Sequence, residues 1–179
     1  MKLGVKIFGF LAGILLLYLL VGLLLPGTWT AEEDAVLPAP PSAVYPLLSR
    51  ISAWERWTPF PETGLEVFGP AEGIGAGLRW DDPRYGRGEA RIVEARENRA
   101  VEYEVLIEGG ALRIRGFLTL FPEGEGSRIH WVENGDFGWN PLMGYAAKGM
   151  ASSQGQAMRA SLARLAAMVA GQGLPPTSP

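Results

Sequence analysis

One stretch near the end of the chain, residues 143–170, constrains the fold most, because it predicts a long helix with one apolar face. Pro141 stands just before this stretch and Gly171 just after it, as is typical of helix ends. At 1.5 Å of rise per residue the helix is about 40 Å long. Its face combines the side chains that recur every three or four residues, namely Met143, Ala147, Met150, Gln154, Met158, Ser161, Leu165 and Met168. A helix of this length needs a broad apolar surface to pack on, and the strands upstream are the only candidate.

The composition of this face is unusual for a packing surface. It is rich in Met and small residues and contains a single Leu, whereas well-packed cores prefer Leu, Ile and Val and use Met as an adaptable filler. Ordinary core packing is one interpretation, and a face that partly lines a cavity is the other. Gln154 is informative because an amide on an apolar face needs a hydrogen-bond partner or water, which a cavity would supply.

The segment from Ile7 to Leu25 carries no charged residue and, as a helix, spans about 28 Å, close to the thickness of a bilayer core. Lys2 and Lys6 precede it, so we expect the N-terminus to be cytoplasmic and the rest of the chain to lie outside the cytoplasm. A cleaved signal peptide is the alternative. Its apolar region is usually about 7–15 residues long and is followed by a small residue at the cleavage site, where this chain has Trp29. The sequence therefore favours an uncleaved single-pass anchor in the cell (inner) membrane.

Charge and composition exclude several classes of function. The chain has 16 basic and 19 acidic residues, and two of the basic ones, Lys2 and Lys6, flank the apolar segment. The remainder is acidic, which argues against nucleic acid as a partner. With no Cys and one His, disulfides, thiol catalysis, Cys-ligated zinc and multi-His metal sites are excluded. We therefore expect no metal site and no cofactor.

The middle of the chain predicts an antiparallel sheet, because short strands alternate with turns from residue 65 to residue 135. A strand over 28–37 and two short helices, over 43–48 with Ser42 as N-cap and over 51–57, come first. Gly109 and Gly110 predict a two-residue hairpin. The resulting register places Arg91, Glu104 and Arg115 in one row on a solvated outer face. The opposite face is apolar and offers the surface that the long helix can cover.

The order of these elements, with several local motifs, resembles the SRPBCC or START-like superfamily, and most closely its polyketide cyclase/dehydrase-like branch. The resemblance covers residues 28–170. Its motifs are Ala39-Pro40-Pro41 with Val44-Tyr45, Trp54 to Pro59, Gly75-Ala76-Gly77 with Trp80, Gly88 with Ile92 and Tyr103, Gly126 to Trp131, and the helix through Leu162 and Leu165. The family usually has Thr where this chain has Ser127.

The resemblance implies an α+β helix-grip fold, in which a curved antiparallel sheet wraps around the long C-terminal helix. Residues 1–27 would be a transmembrane anchor, 28–170 the helix-grip domain and 171–179 a disordered tail. The family's ligand cavity lies between sheet and helix. By position, its lining here would be Trp80, Tyr103, Leu118, Trp131, Met150, Gln154 and Met158. Glu133, near a strand end, is expected at the cavity mouth or in solvent.

Three hypotheses on function remain open. The first is a membrane-tethered module, anchored by residues 7–25, that binds a small hydrophobic molecule or a lipid. The second is an enzyme of cyclase or hydrolase type, for which the sequence offers only Glu133, Tyr103 and Arg79 as candidate groups and no convincing catalytic pair. A carboxylate within hydrogen-bond reach of Tyr103 inside the cavity would favour it. The third is a cavity-free interaction module. His130 is expected on the outer face opposite Thr119, so we assign it no catalytic role.

Overall fold

The computed structural model describes residues 2–138 and 140–171. An apolar helix comes first, followed by seven strands with two short helical segments after the first of them, and a long helix closes the chain. The bounds are α1 Lys2–Leu24, β1 Thr28–Leu37, α2 Pro41–Ser49, a 3-10 helix Ile51–Arg56, β2 Glu66–Phe68, β3 Gly77–Asp82, β4 Gly86–Arg96, β5 Ala100–Ile107, β6 Leu112–Glu123, β7 Gly126–Asp136 and α3 Met143–Val169.

The strands form one antiparallel sheet with the order β1-β7-β6-β5-β4-β3-β2. From β2 to β7 each strand pairs with the next one in the chain, and β1 adds to the free edge of β7. A register shift between Ile92 and Glu94 marks a bulge in β4, which increases the local twist and helps the sheet to curve. The concave face of the sheet packs against α3, so the predicted α+β helix-grip architecture is confirmed.

The register follows the predicted pairing on both sides of β5. Glu104 pairs with Arg91 and with Arg115, and the Arg115 guanidinium lies 3.3 Å from the Glu104 carboxylate on the outer face. The hairpin between β5 and β6 differs from the expected two-residue turn. Its loop has four residues, 108–111, and Glu108, Gly109 and Gly110 all adopt positive φ.

The first short helix begins earlier than predicted. Pro41 occupies its first turn and Pro40 is the N-cap residue, with no side-chain hydrogen bond to the helix, so Ser42 is not the cap. A proline fits this position because its missing N–H is one that the helix would not satisfy anyway. The Ser127 hydroxyl donates to the Ala39 carbonyl at 2.8 Å and ties this helix to β7.

The helix-grip core is filled in only one half. The half beside α2 contains side chains that are almost completely excluded from solvent, and these pack against one another around the C-terminal part of α3. They include Leu37, Val44, Leu48, Ile92, Val101, Leu118, Ile129 and Leu165. The other half of the interior, beside the start of α3, holds a cavity.

Candidate functional site

The cavity lies between the sheet and α3 and has a volume of about 470 Å³. This is within the range of pockets that hold small ligands. Side chains from β1, β3, β4, β5, β6, β7, α3 and the segment 51–61 line it, and most of them are apolar. The structure therefore has a cavity where the cavity-free hypothesis requires packed Met and Ala side chains.

Six of the seven side chains that the sequence placed by position around the cavity do line it. These are Trp80, Tyr103, Trp131, Met150, Gln154 and Met158. Leu118 does not belong to the lining. It is fully buried between β5 and β7, opposite Val101 and Trp131, and lies in the filled half of the core.

Glu133 is not at the mouth or in solvent, as we had expected, but in the interior. Its side chain is buried, with 5% of the residue exposed, and it lines the cavity. The strand β7 continues to Asp136, three residues beyond Glu133, so the position is inside the sheet and not at its end. Alternation along β7 then directs Glu133 to the concave face together with Trp131.

A chain of hydrogen bonds joins four of the cavity residues. The Trp131 Nε1–H donates to the Tyr103 Oη at 2.8 Å, and the Tyr103 hydroxyl donates to Oε1 of Glu133. The Gln154 amide of α3 donates to the other carboxylate oxygen, Oε2, at 2.5 Å. Gln154 thus has the partner that its place on an apolar helix face requires.

Glycine at position 116 makes this arrangement possible. On the sheet, Gly116 lies between Tyr103 of β5 and Glu133 of β7. A Cβ atom added to Gly116 would collide with the Tyr103 ring, so the phenol lies flat across the glycine and its hydroxyl reaches Glu133. Any larger residue here would hold the two functional groups apart.

Burial shifts the pKa values of both partners upward. Removal from water raises the pKa of the Glu133 carboxyl, and the hydrogen bonds from Tyr103 and Gln154 only partly oppose this. Burial, followed by the nearby charge of Glu133, raises the pKa of the Tyr103 phenol well above its usual range. Among the described residues no basic side chain forms an ion pair with Glu133. The site therefore combines a buried carboxyl of raised pKa and a phenol in an apolar cavity.

Two more aromatic side chains lie flat over glycines on the cavity floor. Trp80 covers Gly88 on the neighbouring strand β4, and Trp29 covers Gly135 on β7. Both indole N–H groups are buried without a hydrogen-bond partner among the described residues. The cavity floor is thus built of flat aromatic surfaces, which suit an apolar, planar or chain-like occupant.

One edge of the cavity is held together by a buried carboxylate. Asp82 Oδ1 accepts from the backbone N–H of Arg84 and Tyr85, which line the cavity, and its Oδ2 accepts from the N–H of Glu62 and Thr63. These bonds, the one from Arg84 first, lower the pKa of Asp82 to about 2. Asp82 thereby links the turn between β3 and β4 to the segment that follows the 3-10 helix.

The remaining polar candidates lie outside the cavity. Arg79 bonds Glu89 at 2.8 Å and covers the Phe68 ring on the outer face, so it is not available to the cavity. His130 pairs with Thr119 in the sheet, as expected, and its Nδ1 lies 3.2 Å from Asp34 Oδ1. Glu32 completes an exposed group of three potential ligands there, and nothing further at that place points to a metal ion.

The sequence reasoning missed several cavity residues. Trp29, Trp54, Arg84 and Tyr85 all contribute to the lining but come from the first strand, the 3-10 helix and a turn. The contact between Tyr103 and Glu133, in contrast, could have been predicted. The predicted register places Gly116 between these two residues, so a glycine lies between an aromatic residue and an acid.

Comparison with known proteins places the chain in a family. Residues 28–170 match the family described as polyketide cyclase / dehydrase and lipid transport. The chain therefore belongs to this family, and the resemblance inferred from its motifs is confirmed. No curated protein matches the chain.

Solved structures with the same fold share little sequence with this chain. The protein TTHA0849 from Thermus thermophilus is similar with a TM-score of 0.60 at 21% identity, covering 79% of this chain and 97% of its own. CV1439 from Chromobacterium violaceum gives 0.54 at 23% identity, covering 78% and 96%. Ara h 8.0201 gives 0.59 at 16% identity, covering 81% and 99%. At these identities the likeness establishes the fold alone.

Members of this fold family typically bind hydrophobic ligands.

The residues described in this chain also include one helix that is long and apolar enough to cross a membrane, Lys6–Leu24, with a mean hydropathy of 2.7. Membrane anchors and signal sequences share this length and composition.

Proposed function

We propose that this chain is a membrane-tethered module that binds one small hydrophobic molecule or lipid in the cavity between the sheet and α3. The observation that carries the proposal is a cavity of about 470 Å³ with mostly apolar walls and a buried hydrogen-bonded cluster of Glu133, Tyr103 and Gln154. Apolar walls provide affinity, and a few fixed polar groups orient the ligand. The ligand we infer is therefore largely apolar and carries at least one oxygen or nitrogen atom that meets this cluster.

The seven predicted lining residues have unequal parts in this proposal. Trp80, Met150 and Met158 provide apolar contact, whereas Tyr103, Trp131 and Gln154 form or support the polar cluster. Leu118, which does not line the cavity, is given only a packing role. Glu133 is the anchor for the polar end of the ligand, because its carboxyl lines the cavity and holds only two hydrogen bonds.

The tether that we propose is α1, retained in the mature protein as a single span with Lys2 and Lys6 on the cytoplasmic side. Residues 28–170 would then form the ligand-binding domain outside the cytoplasm, with 171–179 as a tail that lies largely outside the described residues.

A reporter that is active only in the cytoplasm, fused after Pro179, tests this topology. An inactive fusion agrees with the proposed topology, whereas an active one would place the C-terminus in the cytoplasm and contradict it. A product that begins near Ala31 would show cleavage.

Organic extraction of the purified full-length protein, followed by mass spectrometry, tests ligand binding. The Ala157→Leu variant is the comparison, because Ala157 lines the cavity, and Ala163→Leu on the exposed side of α3 is its control. We expect a hydrophobic compound to copurify with the native protein and the Ala163→Leu variant, and to be reduced in Ala157→Leu. If all three preparations are free of ligand and bind no hydrophobic dye at micromolar concentration, the proposal fails.

A second function, catalysis on a hydrophobic substrate, is favoured by one specific observation. The Glu133 carboxyl is hydrogen-bonded to Tyr103 inside the cavity, which is the arrangement that the enzyme hypothesis requires. A carboxyl whose pKa is raised keeps its proton to a higher pH than an ordinary one, and it can give that proton to a substrate carbonyl or enol oxygen. Turnover of a carbonyl-containing substrate that is lost in Glu133→Gln, with binding retained, would support it. Equal turnover in both proteins would exclude this role for Glu133.

A further inference from the structure

The cavity lies at the same end of the fold as the join to α1, as the sheet register shows. β1 starts at Thr28, opposite the end of β7 at Asp136, and Asp136 pairs in turn with Arg113 near the start of β6. Ile107 at the end of β5 pairs with Leu112, and Gly86 at the start of β4 pairs with Asp82 at the end of β3. All these positions form one end of the sheet, which we call the tethered end. α1 enters and α3 begins there.

The exposed part of the cavity lining belongs to this tethered end. Near the middle of the sheet the lining side chains are buried, as in Tyr103, Trp131 and Met158. At the tethered end they are only partly buried, as in Tyr85, Ile107 and Leu112. Arg84, in the turn between β3 and β4, is exposed. At the opposite end, α2 and the filled half of the core close the interior. The cavity therefore opens at the tethered end.

α1 is joined to α3 by close packing and not only through the chain. The Tyr18 and Tyr145 rings stack with centroids 4.4 Å apart and planes 2° from parallel, and the Tyr145 hydroxyl donates to the Tyr18 carbonyl at 2.8 Å. At Gly22 an added Cβ would collide with the Pro141 carbonyl, and at Gly144 it would lie 2.7 Å from Leu25 Cβ. Two glycines thus allow the backbones to approach each other. By contrast, a Cβ at Gly9 or Gly13 of α1 meets nothing within 4 Å.

The rest of α1 projects away from the domain with its apolar side chains uncovered. Phe8 is 74% exposed, Phe10 70% and Leu17 62%. Only 6% of its most apolar window is buried, so the surface available to lipid is nearly complete. The contacts at Tyr18 and Gly22 lie in the last two turns of this helix.

We propose that the α1–α3 junction holds the open end of the cavity against the membrane surface, so that the ligand passes directly between the bilayer and the cavity. The inference rests on the proposed function in that α1 must be a retained membrane span. The occupant that this surface fits is the lipid headgroup layer around α1. An unpacked linker would let the domain rotate freely, whereas the stacked tyrosines and the two glycines fix its orientation.

Site-specific quenching on the full chain tests this orientation. The chain contains no Cys, so a single introduced Cys gives one labelled position. Ala111→Cys and Glu125→Cys place a fluorophore in exposed turns at the two ends of β6, a strand of 12 residues. At about 3.3 Å per residue these sites are about 40 Å apart. Both proteins are reconstituted in lipid nanodiscs with and without phospholipid that carries a nitroxide at its headgroup.

We expect the fluorophore at residue 111 to be quenched at least threefold more than the one at residue 125. Adding Gly22→Leu should reduce that ratio towards one, because it separates α1 from Pro141, whereas Gly13→Leu should leave it unchanged. Equal quenching at both sites in the native background, or stronger quenching at residue 125, would overturn the proposal. Binding of a hydrophobic dye to the same samples reports on the cavity independently. Dye binding without preferential quenching would refute the orientation and leave the proposed function standing.

Discussion

Glu133 is the residue on which the interpretation of the cavity depends most. A carboxyl in an apolar interior without a cationic partner is costly, so the protein either keeps it protonated or stabilises its charge by hydrogen bonds. Here Tyr103 and Gln154 each donate one bond, from a strand and from α3. The carboxyl thus links the sheet to α3 at the place where a ligand would contact both.

The Glu133→Gln variant should differ from the native protein in a pH-dependent way. Because the pKa of Glu133 is raised in the folded state, its contribution favours folding below the ordinary pKa of 4.5 and is lost as the pH rises through the folded-state value. The groups that face it are Tyr103 and Gln154. We expect the variant to gain stability relative to the native protein as the pH rises from 4.5 through the raised folded-state pKa. Urea denaturation at several pH values measures this, and a pH-independent difference would contradict the burial of the carboxyl.

Asp82 should show the opposite dependence on pH. Its pKa is lowered from 3.8 to about 2, so its contribution to stability is present above 3.8 and is lost as the pH falls through about 2. We therefore expect the destabilisation by Asp82→Asn to be constant above about pH 5 and to shrink on acidification. Denaturation of both proteins in parallel tests this. A destabilisation that persists undiminished at pH 2 would show that the carboxylate charge is not what holds this edge of the cavity.

At the scale of the strands, the cavity floor depends on glycines that lie under aromatic rings. Gly116→Ala should destabilise the protein by about 1–3 kcal/mol, because the new methyl group collides with the Tyr103 ring. Gly149→Ala is the control, since its Cβ meets nothing within 4 Å, and it should stabilise by about 0.5–1 kcal/mol. Equal effects of the two changes on the unfolding midpoint would argue against the flat packing of Tyr103.

The helix α3 offers a matched pair of alanines. Ala147 is buried and lies outside the cavity lining, whereas Ala157 belongs to the lining. Ala147→Leu should therefore destabilise by about 1–3 kcal/mol through overpacking, while Ala157→Leu should be nearly neutral. Chemical denaturation of the two variants distinguishes these effects. Similar destabilisation by both changes would indicate that no room exists beside Ala157.

The sequence predicted the elements better than it predicted the cavity. Alternation and turn residues determine strand register locally, and so Arg91, Glu104 and Arg115 were placed correctly. The unfilled half of the core follows instead from how the curved sheet meets α3, which no local pattern encodes. Leu118 and Tyr103 both face inward, yet only Tyr103 meets the cavity. Glu133 was misplaced because the strand pattern does not show that Gln154 of α3 and Tyr103 of β5 cover this position.

At the scale of the whole molecule, one end is closed and the other is both open and joined to α1. The buried cluster around Leu48 and Leu165 fills the closed end, whereas apolar surface at the open end lines the cavity. On α3, Leu162 and Leu165 belong to the buried cluster, whereas Met150, Gln154 and Met158 line the cavity. Packing specificity is needed in the first region and adaptability in the second.

Titration of the full-length protein with a solvatochromic hydrophobic dye tests the central claim, that the cavity binds a ligand, most directly. The native protein should show saturable one-site binding with a Kd in the micromolar range or below. Ala157→Leu should bind at least tenfold more weakly at unchanged stability, because the added side chain occupies the cavity. Absence of saturable binding to the native protein, or equal affinity in the variant, would contradict the claim.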